Sequence, residues 1–277
     1  MKLSVKSIDL VAVLFLDRLN ETESESRTCA GSYQNILMTA RVFIFLFLSC
    51  FALFQASAQG SAEESFDIAS ATIYYPHRLK PKEINMEIAL SQVKLPLNWL
   101  QNSIQPPLFH FQANYGLPKG FSLNGRYSSL LVASQVSFGP RWSQQINNFS
   151  FNAGYDLAFA FGYLNYFGYD TSVTSWINYP NVSVGFRFKD ITLTIKYEYV
   201  FVSNFSSLQG DNEVVVETNF SNGSTIAIYM EQRVHKNTVL VVGLKNSLMK
   251  FHFMAWPAFS AFNRAFNMPE FYIGVII

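Results

Sequence analysis

Over long stretches of the chain, apolar and polar residues alternate one for one, the period of a β-strand whose two faces meet different surroundings. Across 191–201 one face carries Ile191, Leu193, Ile195, Tyr197, Tyr199 and Phe201, and the other Thr192, Thr194, Lys196, Glu198 and Val200. Across 149–163, Phe149, Phe151, Tyr155, Leu157, Phe159, Phe161 and Tyr163 share a face. Ser150, Asn152, Asp156 and small residues share the other. Segments 182–189 and 109–115 repeat the pattern. A soluble sandwich with one wet face would alternate too. Several stretches run 9 to 15 residues, however, enough for the ~9–11 that a tilted strand needs to cross a bilayer. Large aromatics also stand at the strand ends, as in lipid-facing girdles. These two features favour a barrel.

The pattern predicts twelve strands, at approximately 83–94, 107–116, 119–128, 131–141, 146–165, 180–189, 191–203, 212–220, 224–234, 237–246, 249–257 and 270–277. Short connections at 117–120, 189–190, 221–224 and 246–248 alternate with longer ones, including 166–179 and 256–269. That alternation follows when both barrel ends lie on the periplasmic side. The short hairpin at 234–236 breaks it, and the pair around Ser128 and Ser129 is poorly defined, so ten to fourteen strands stay open.

Composition sharpens this reading. Only 14% of the 277 residues are charged, against about 25% in a typical soluble domain. Phe 27, Tyr 14 and Trp 4 supply an aromatic excess. Disorder is excluded, because such a chain has too much apolar surface to leave in water. A net charge of +1 removes any composition-level case for nucleic acid. An aromatic, charge-poor chain suits lipid.

Ahead of the strands, Met38-Thr-Ala-Arg41 precedes the apolar run 42–54 and an Ala56-Ser57-Ala58 end. This is the layout of a secretory signal peptide. The run is short for a membrane-spanning helix, which needs about 20 residues. We read 1–37, with its acidic patch at 20–27, as an upstream mis-called start. Residues 38–58 are then the signal peptide, cleaved between Ala58 and Gln59. A periplasmic N-terminal tail follows at 59–82, where 66–75 could also form an additional strand, and the barrel occupies 83–277. Cys29 and Cys50 both precede the cleavage point, leaving the mature chain without a thiolate for metal or catalysis.

Signal peptide, alternating strands, aromatic excess and alternating loop lengths together resemble the outer-membrane β-barrel proteins of Gram-negative bacteria. The Ala58-Gln59-Gly60 junction resembles signal-peptide ends of the Bacteroidota. The resemblance is architectural, covers 38–277 and rests on no family motif. It implies an all-β, transmembrane, antiparallel up-and-down β-barrel in the cell outer membrane. The barrel would sit against lipid bilayer and lipopolysaccharide and be inserted by the barrel-assembly machinery. The chain departs from such barrels by closing on Ile277, where they usually finish on Phe.

Charged residues at inward strand positions are Glu87, Arg126, Asp156, Arg187, Lys189, Lys196, Glu198, Glu217, Glu231, Lys245 and Lys250. They either line a charge-sorting pore or pair with one another and fill a narrow interior, since a charge facing lipid costs several kcal/mol. Of the histidines, His110 and His252 point inward between Phe neighbours. They fall on strands 2 and 11 of a twelve-strand barrel, too far apart to pair. The twelve-stranded outer-membrane phospholipases resemble the chain in length, but their His-x-Ser-Asn arrangement is absent. No catalytic residue, metal site or cofactor is expected. The expectation is a small passive pore or general envelope barrel with a mixed-charge lumen. The alternative is a structural or secretion-accessory barrel that binds a partner through its loops or tail. A lipid-modifying enzyme ranks third.

Overall fold

The computed structural model describes residues 68–95, 107–130, 132–166, 169–210, 212–235, 238–254 and 264–277. Positions 1–58 and the Ala58–Gln59 junction lie outside the described residues. The elements are β1 (Ile84–Val93), β2 (Pro107–Gly116), β3 (Phe121–Leu130), β4 (Ala133–Ile146), β5 (Phe149–Tyr166), β6 (Tyr169–Phe188), β7 (Ile191–Gln209), β8 (Asn212–His235), β9 (Thr238–Met249) and β10 (Phe266–Ile276). Each pairs antiparallel with its chain neighbours. The ring closes where β1 meets β10, with Ile88 opposite Val275 and Ser91 opposite Tyr272. An antiparallel up-and-down barrel results, with ten strands in place of the expected twelve.

Two errors account for the difference. Residues 212–220 and 224–234 are one 24-residue strand, β8. The Ser221-Asn222-Gly223-Ser224 stretch, which has a turn's composition, is a bulge inside it. The register against β7 slips between Val200 and Phe201, with Asn219 and Gly223 at φ 54° and 141°. Only glycine takes the second of these readily. A bulge adds one unpaired residue and re-aims its side chain, and here that residue is Asn222. The second error is 249–257, where β9 ends at Met249 and a short 3₁₀ turn follows. The expected loop at 166–179 is also largely strand, the first half of β6. With β8 continuous, the hairpin joining β8 to β9 falls at the same end as the other short turns, but the expected alternation of loop lengths does not hold: the loop-end connections after β3, β5 and β7 are as short as the turns, and those after β1 and β9 are long.

That end, where β1 starts and β10 finishes, is the turn end. The other is the loop end. Side chains on the outer face are large and apolar around the ring, including Ile88, Phe111, Phe138, Leu157, Val184, Ile195, Ile228, Leu244 and Ile273. Aromatics gather near the turn end at Phe121, Trp142, Phe186 and Phe188, and farther along at Tyr155, Tyr163, Trp176, Tyr197 and Tyr199. The inner face holds polar and charged residues, with two apolar clusters. One lies toward the turn end, around Ile73, Tyr74, Tyr229, Val241 and Tyr272. The other lies at the loop end, around Leu108, Ile177, Val202, Phe205, Phe251 and Met268.

Candidate functional site: a closed lumen

The stretch read as a periplasmic tail lies, over 72–77, inside the barrel, and 78–82 leads out toward β1 with Arg78, Lys80, Pro81 and Lys82 exposed. A 3₁₀ turn at Ile68–Ala71 leads into an extended run that pairs with no strand, so its backbone groups need other partners. Three consecutive N–H groups supply the main attachment. Ile73 N and Tyr74 N donate to Glu231 Oε1 at 2.7 and 3.0 Å, and Tyr75 N donates to Oε2 at 2.8 Å. Thr192 Oγ1 donates to Oε2 at 3.0 Å. Successive N–H groups turned to one side form an anion-binding concavity, and Glu231 of β8, 0% exposed, is the anion. Carbonyls of the segment accept from the wall: Thr72 O from Asn85 Nδ2 at 2.9 Å, Ile73 O from Asn114 Nδ2 at 3.1 Å, and Pro76 O from Ser150 Oγ at 2.6 Å.

Side chains complete the seal. The Tyr74 ring stacks on Tyr229 with centroids 3.7 Å apart. Its hydroxyl lies 3.0 Å from Glu87 Oε2 and 2.8 Å from the Tyr272 hydroxyl. Burial, and then the Glu87 charge, push the Tyr74 phenol well above its ordinary value, so it keeps its proton and donates it to Glu87. Tyr75 and Pro76 fill the space over Gly185, where a Cβ would stand 2.6 Å from the Tyr75 ring. Arg78 reaches Gln144 and the Ser143 carbonyl near the β4–β5 turn.

Farther in, the lumen is a network of ion pairs. Arg141 Nη2 lies 3.3 Å from Asp156 Oδ2, Lys196 Nζ 2.6 Å from Glu198 Oε1, and Lys245 Nζ 2.9 Å from Glu270 Oε2. Asn124 and Asn181 also donate to Asp156, at 3.4 and 3.2 Å. Of the expected lumen charges, Glu87, Asp156, Lys196, Glu198 and Glu231 are buried inside. Arg126, Arg187, Glu217 and Lys245 are half-buried on the inner face. Lys189 is not on that face, and Lys250 lies beyond the strand expected to place it there. Lys189 takes a positive φ of 47° in the exposed β6–β7 turn, and Lys250 occupies the bend after β9, where strand alternation no longer applies. Glu270 also belongs to the network; the sequence pattern makes it the first residue of the strand expected at 270–277, where inward parity is not legible, whereas β10 begins at Phe266.

His110 and His252, expected to be apart, line one cavity of about 40 Å³ with Arg126, Ser128, Gln135, Tyr179, Glu198 and Lys245. The reason is Asn222. Aimed inward by the β8 bulge, its side chain donates to Phe251 O at 2.8 Å and accepts from Phe251 N at 2.7 Å. The 251–254 turn is thereby folded into the lumen. His110 bridges Ser91 through Nε2 and Ser128 through Nδ1, both at 2.8 Å, with Glu270 Oε1 3.6 Å from Nε2. Serine, imidazole and carboxylate are the ingredients of an acyl-transfer triad. Here both ring nitrogens are already engaged, and Ser128 faces a space for about three waters, too small for an acyl substrate.

No protein-family model matches the chain, and no curated protein matches it. Among solved structures, it is similar to the outer membrane protease OmpT from Escherichia coli, at 11% identity and TM-score 0.41, over 75% of this chain and 99% of that one. It is similar also to the KdgM porin (12%, TM-score 0.36, 69% and 97%) and to Neisserial surface protein A (12%, 0.32, 70% and 96%). These are barrels as well, and a likeness at this level adds nothing to what the strand pairing shows by itself.

Proposed function

We propose that the protein is an outer-membrane β-barrel that stays closed at rest, an envelope barrel with a solid interior and not an open passive pore. The observation that carries this reading is the segment 72–77 inside the lumen, clamped through three backbone N–H groups on Glu231. A solute would have to displace it. It would then meet three ion pairs and the loop-end apolar cluster.

Placement in a membrane is supported by the outer face. Exposed apolar side chains encircle all ten strands, whereas a soluble monomer rarely exposes a contiguous patch above a few hundred Å². Closure of the ring also leaves no strand edge to meet lipid. The short strands β1, β2 and β3, ten residues each, match the length needed to cross. Strands β5 to β8 are 18 to 24 residues long and would carry a rim well past the bilayer. Since residues 72–77 of the tail are spent on closing the lumen, that rim is the part left to meet a partner.

The test has two arms. Cell fractionation should place the protein in the outer membrane, in a form that shifts in SDS gels only after boiling. Proteoliposomes holding the folded protein should not swell in small neutral sugars. Swelling at rates expected of a porin would overturn the closed reading, and an inner-membrane or soluble distribution would overturn the barrel's placement.

A further inference from the structure

The three ion pairs of the central lumen use Arg141, Lys196 and Lys245 against Asp156, Glu198 and Glu270. One cation of the same region is left over. The Arg126 guanidinium makes no ion pair or hydrogen bond among the described residues, although it is enclosed by the barrel and lines the 40 Å³ cavity. A guanidinium carries five N–H donors and cannot shed its charge. The half-buried group has the charges of Glu198 and Asp156 nearby, but neither carboxylate takes up its N–H donors, which face the cavity.

A second donor faces the same space. His252 Nδ1 accepts the Met254 N–H at 3.4 Å, which puts the ring proton on Nε2. That N–H has no partner among the described residues, and His252 lines the cavity. Burial, and then the charge of Lys245, bring the His252 imidazole down to about 4, so at neutral pH it is an uncharged donor. Ser128 and Gln135 complete the polar lining, and Leu108, Ile177, Met249, Phe251 and Phe253 the apolar one. The lining acid, Glu198, is engaged by Lys196.

We propose that this cavity is a binding site for one small monovalent anion, a halide or a formate-sized carboxylate, held by the Arg126 guanidinium and the His252 Nε2–H. The charge follows from the lining of the cavity itself, where two cations, Arg126 and Lys245, face one carboxylate, Glu198. The size follows from the volume, which takes about three waters' worth of ligand. Such an ion would neutralise the lumen above the Glu231 clamp without any contact to the 72–77 segment, so the site stands or falls independently of that segment's role.

The experiment is a bromide soak of crystals of the folded full barrel, with anomalous diffraction at the bromine edge. In solution it is paired with the thermal midpoint in bromide, or in formate, against gluconate at fixed ionic strength. The expected result is a bromide peak within hydrogen-bond distance of Arg126 and His252, and a midpoint raised by a few degrees in bromide over gluconate, which is too bulky to enter. Arg126→Gln should lose both the peak and the midpoint response. Arg126→Lys, which keeps the charge and guards against a misfolded first variant, should retain a weakened response. A response to formate and not bromide would assign a carboxylate site, and the reverse a halide site. Water alone in the cavity, or an Arg126→Gln variant that responds as the wild type does, overturns the proposal.

Discussion

Replacing Glu231 by Gln changes one oxygen to an amide nitrogen and removes a charge, with almost no change in volume. The two carboxylate oxygens receive four donors: Ile73 N and Tyr74 N on one, Tyr75 N and Thr192 Oγ1 on the other. The glutamine carbonyl can keep the first pair, but as neutral bonds worth about 1 kcal/mol less apiece than charge-assisted ones. Its NH₂ then faces the Tyr75 N–H. The threonine hydroxyl can rotate to accept, whereas a backbone N–H cannot, and a buried unsatisfied donor costs about 1–3 kcal/mol. Together these give roughly 3–5 kcal/mol against the seated segment, which raises its opening equilibrium by about 10²- to 10⁴-fold. The assay is hydrogen exchange of the peptide covering Ile73–Tyr75 in the folded, heat-modifiable barrel. Exchange there should accelerate by that factor while β5 to β7 keep their protection. Thr192→Val, which removes the only donor that does not belong to the segment, should accelerate it far less. An acceleration below tenfold in Glu231→Gln, in a barrel that remains folded, would refute the clamp.

Three further outcomes follow from individual contacts. His252 has a folded-state value of about 4, lowered by burial and by Lys245 from 6.5. The unfolded chain therefore binds the extra proton first as pH falls, so the His252 contribution to stability is constant above 6.5 and declines from there toward 4, by a total on the order of 3 kcal/mol. The difference in heat-modifiability midpoint between the wild type and His252→Gln should trace that decline. Gly185→Val would set a side chain against the Tyr75 and Pro76 rings, now 2.6–2.7 Å from a Cβ there, an overpacking cost of about 1–3 kcal/mol. Exchange of the 72–76 peptide should rise, and that of β9 should not. Lys196→Met strands buried Glu198 without its 2.6 Å partner and should lower stability by about 3–5 kcal/mol, read as a lower heat-modifiability midpoint. Lys196→Met with Glu198→Leu should recover most of the loss.

The wall of the barrel was legible in the sequence because lipid-like and water-like surroundings impose a period of two on every strand that separates them. Where a strand turns a polar outer face such as Thr174 away from lipid, and its inner face mixes Val173 and Ile177 with Ser175, that signal vanishes. Hence the first half of β6, with Asp170, Thr171, Ser172, Thr174 and Ser175, read as a loop although it pairs throughout with β5. Turn chemistry misled for a related reason. Asn219 and Gly223 do take positive φ, but in a bulge that keeps the strand running, and composition does not separate a bulge from a turn. The inward parity of Glu87, Asp156, Lys196, Glu198 and Glu231 could be read directly, whereas their partners could not, because pairing across a lumen depends on shear and not on sequence spacing. The lumen segment left one trace, Ile73-Tyr74-Tyr75, an apolar cluster poorly suited to a solvated tail. The match of that cluster to the gap over Gly185 becomes visible only once the ring is closed.

The central claim is that the lumen carries no continuous water path because the chain's own segment occupies it. Single-channel recording of the wild-type protein, refolded and shown to be heat-modifiable before insertion into planar bilayers, tests this most directly. The account predicts a flat current at moderate voltage in molar potassium chloride, with protein insertion verified by protease protection of the strands. A stable ohmic conductance in the wild type, of the size a ten-stranded open lumen would pass, would contradict it.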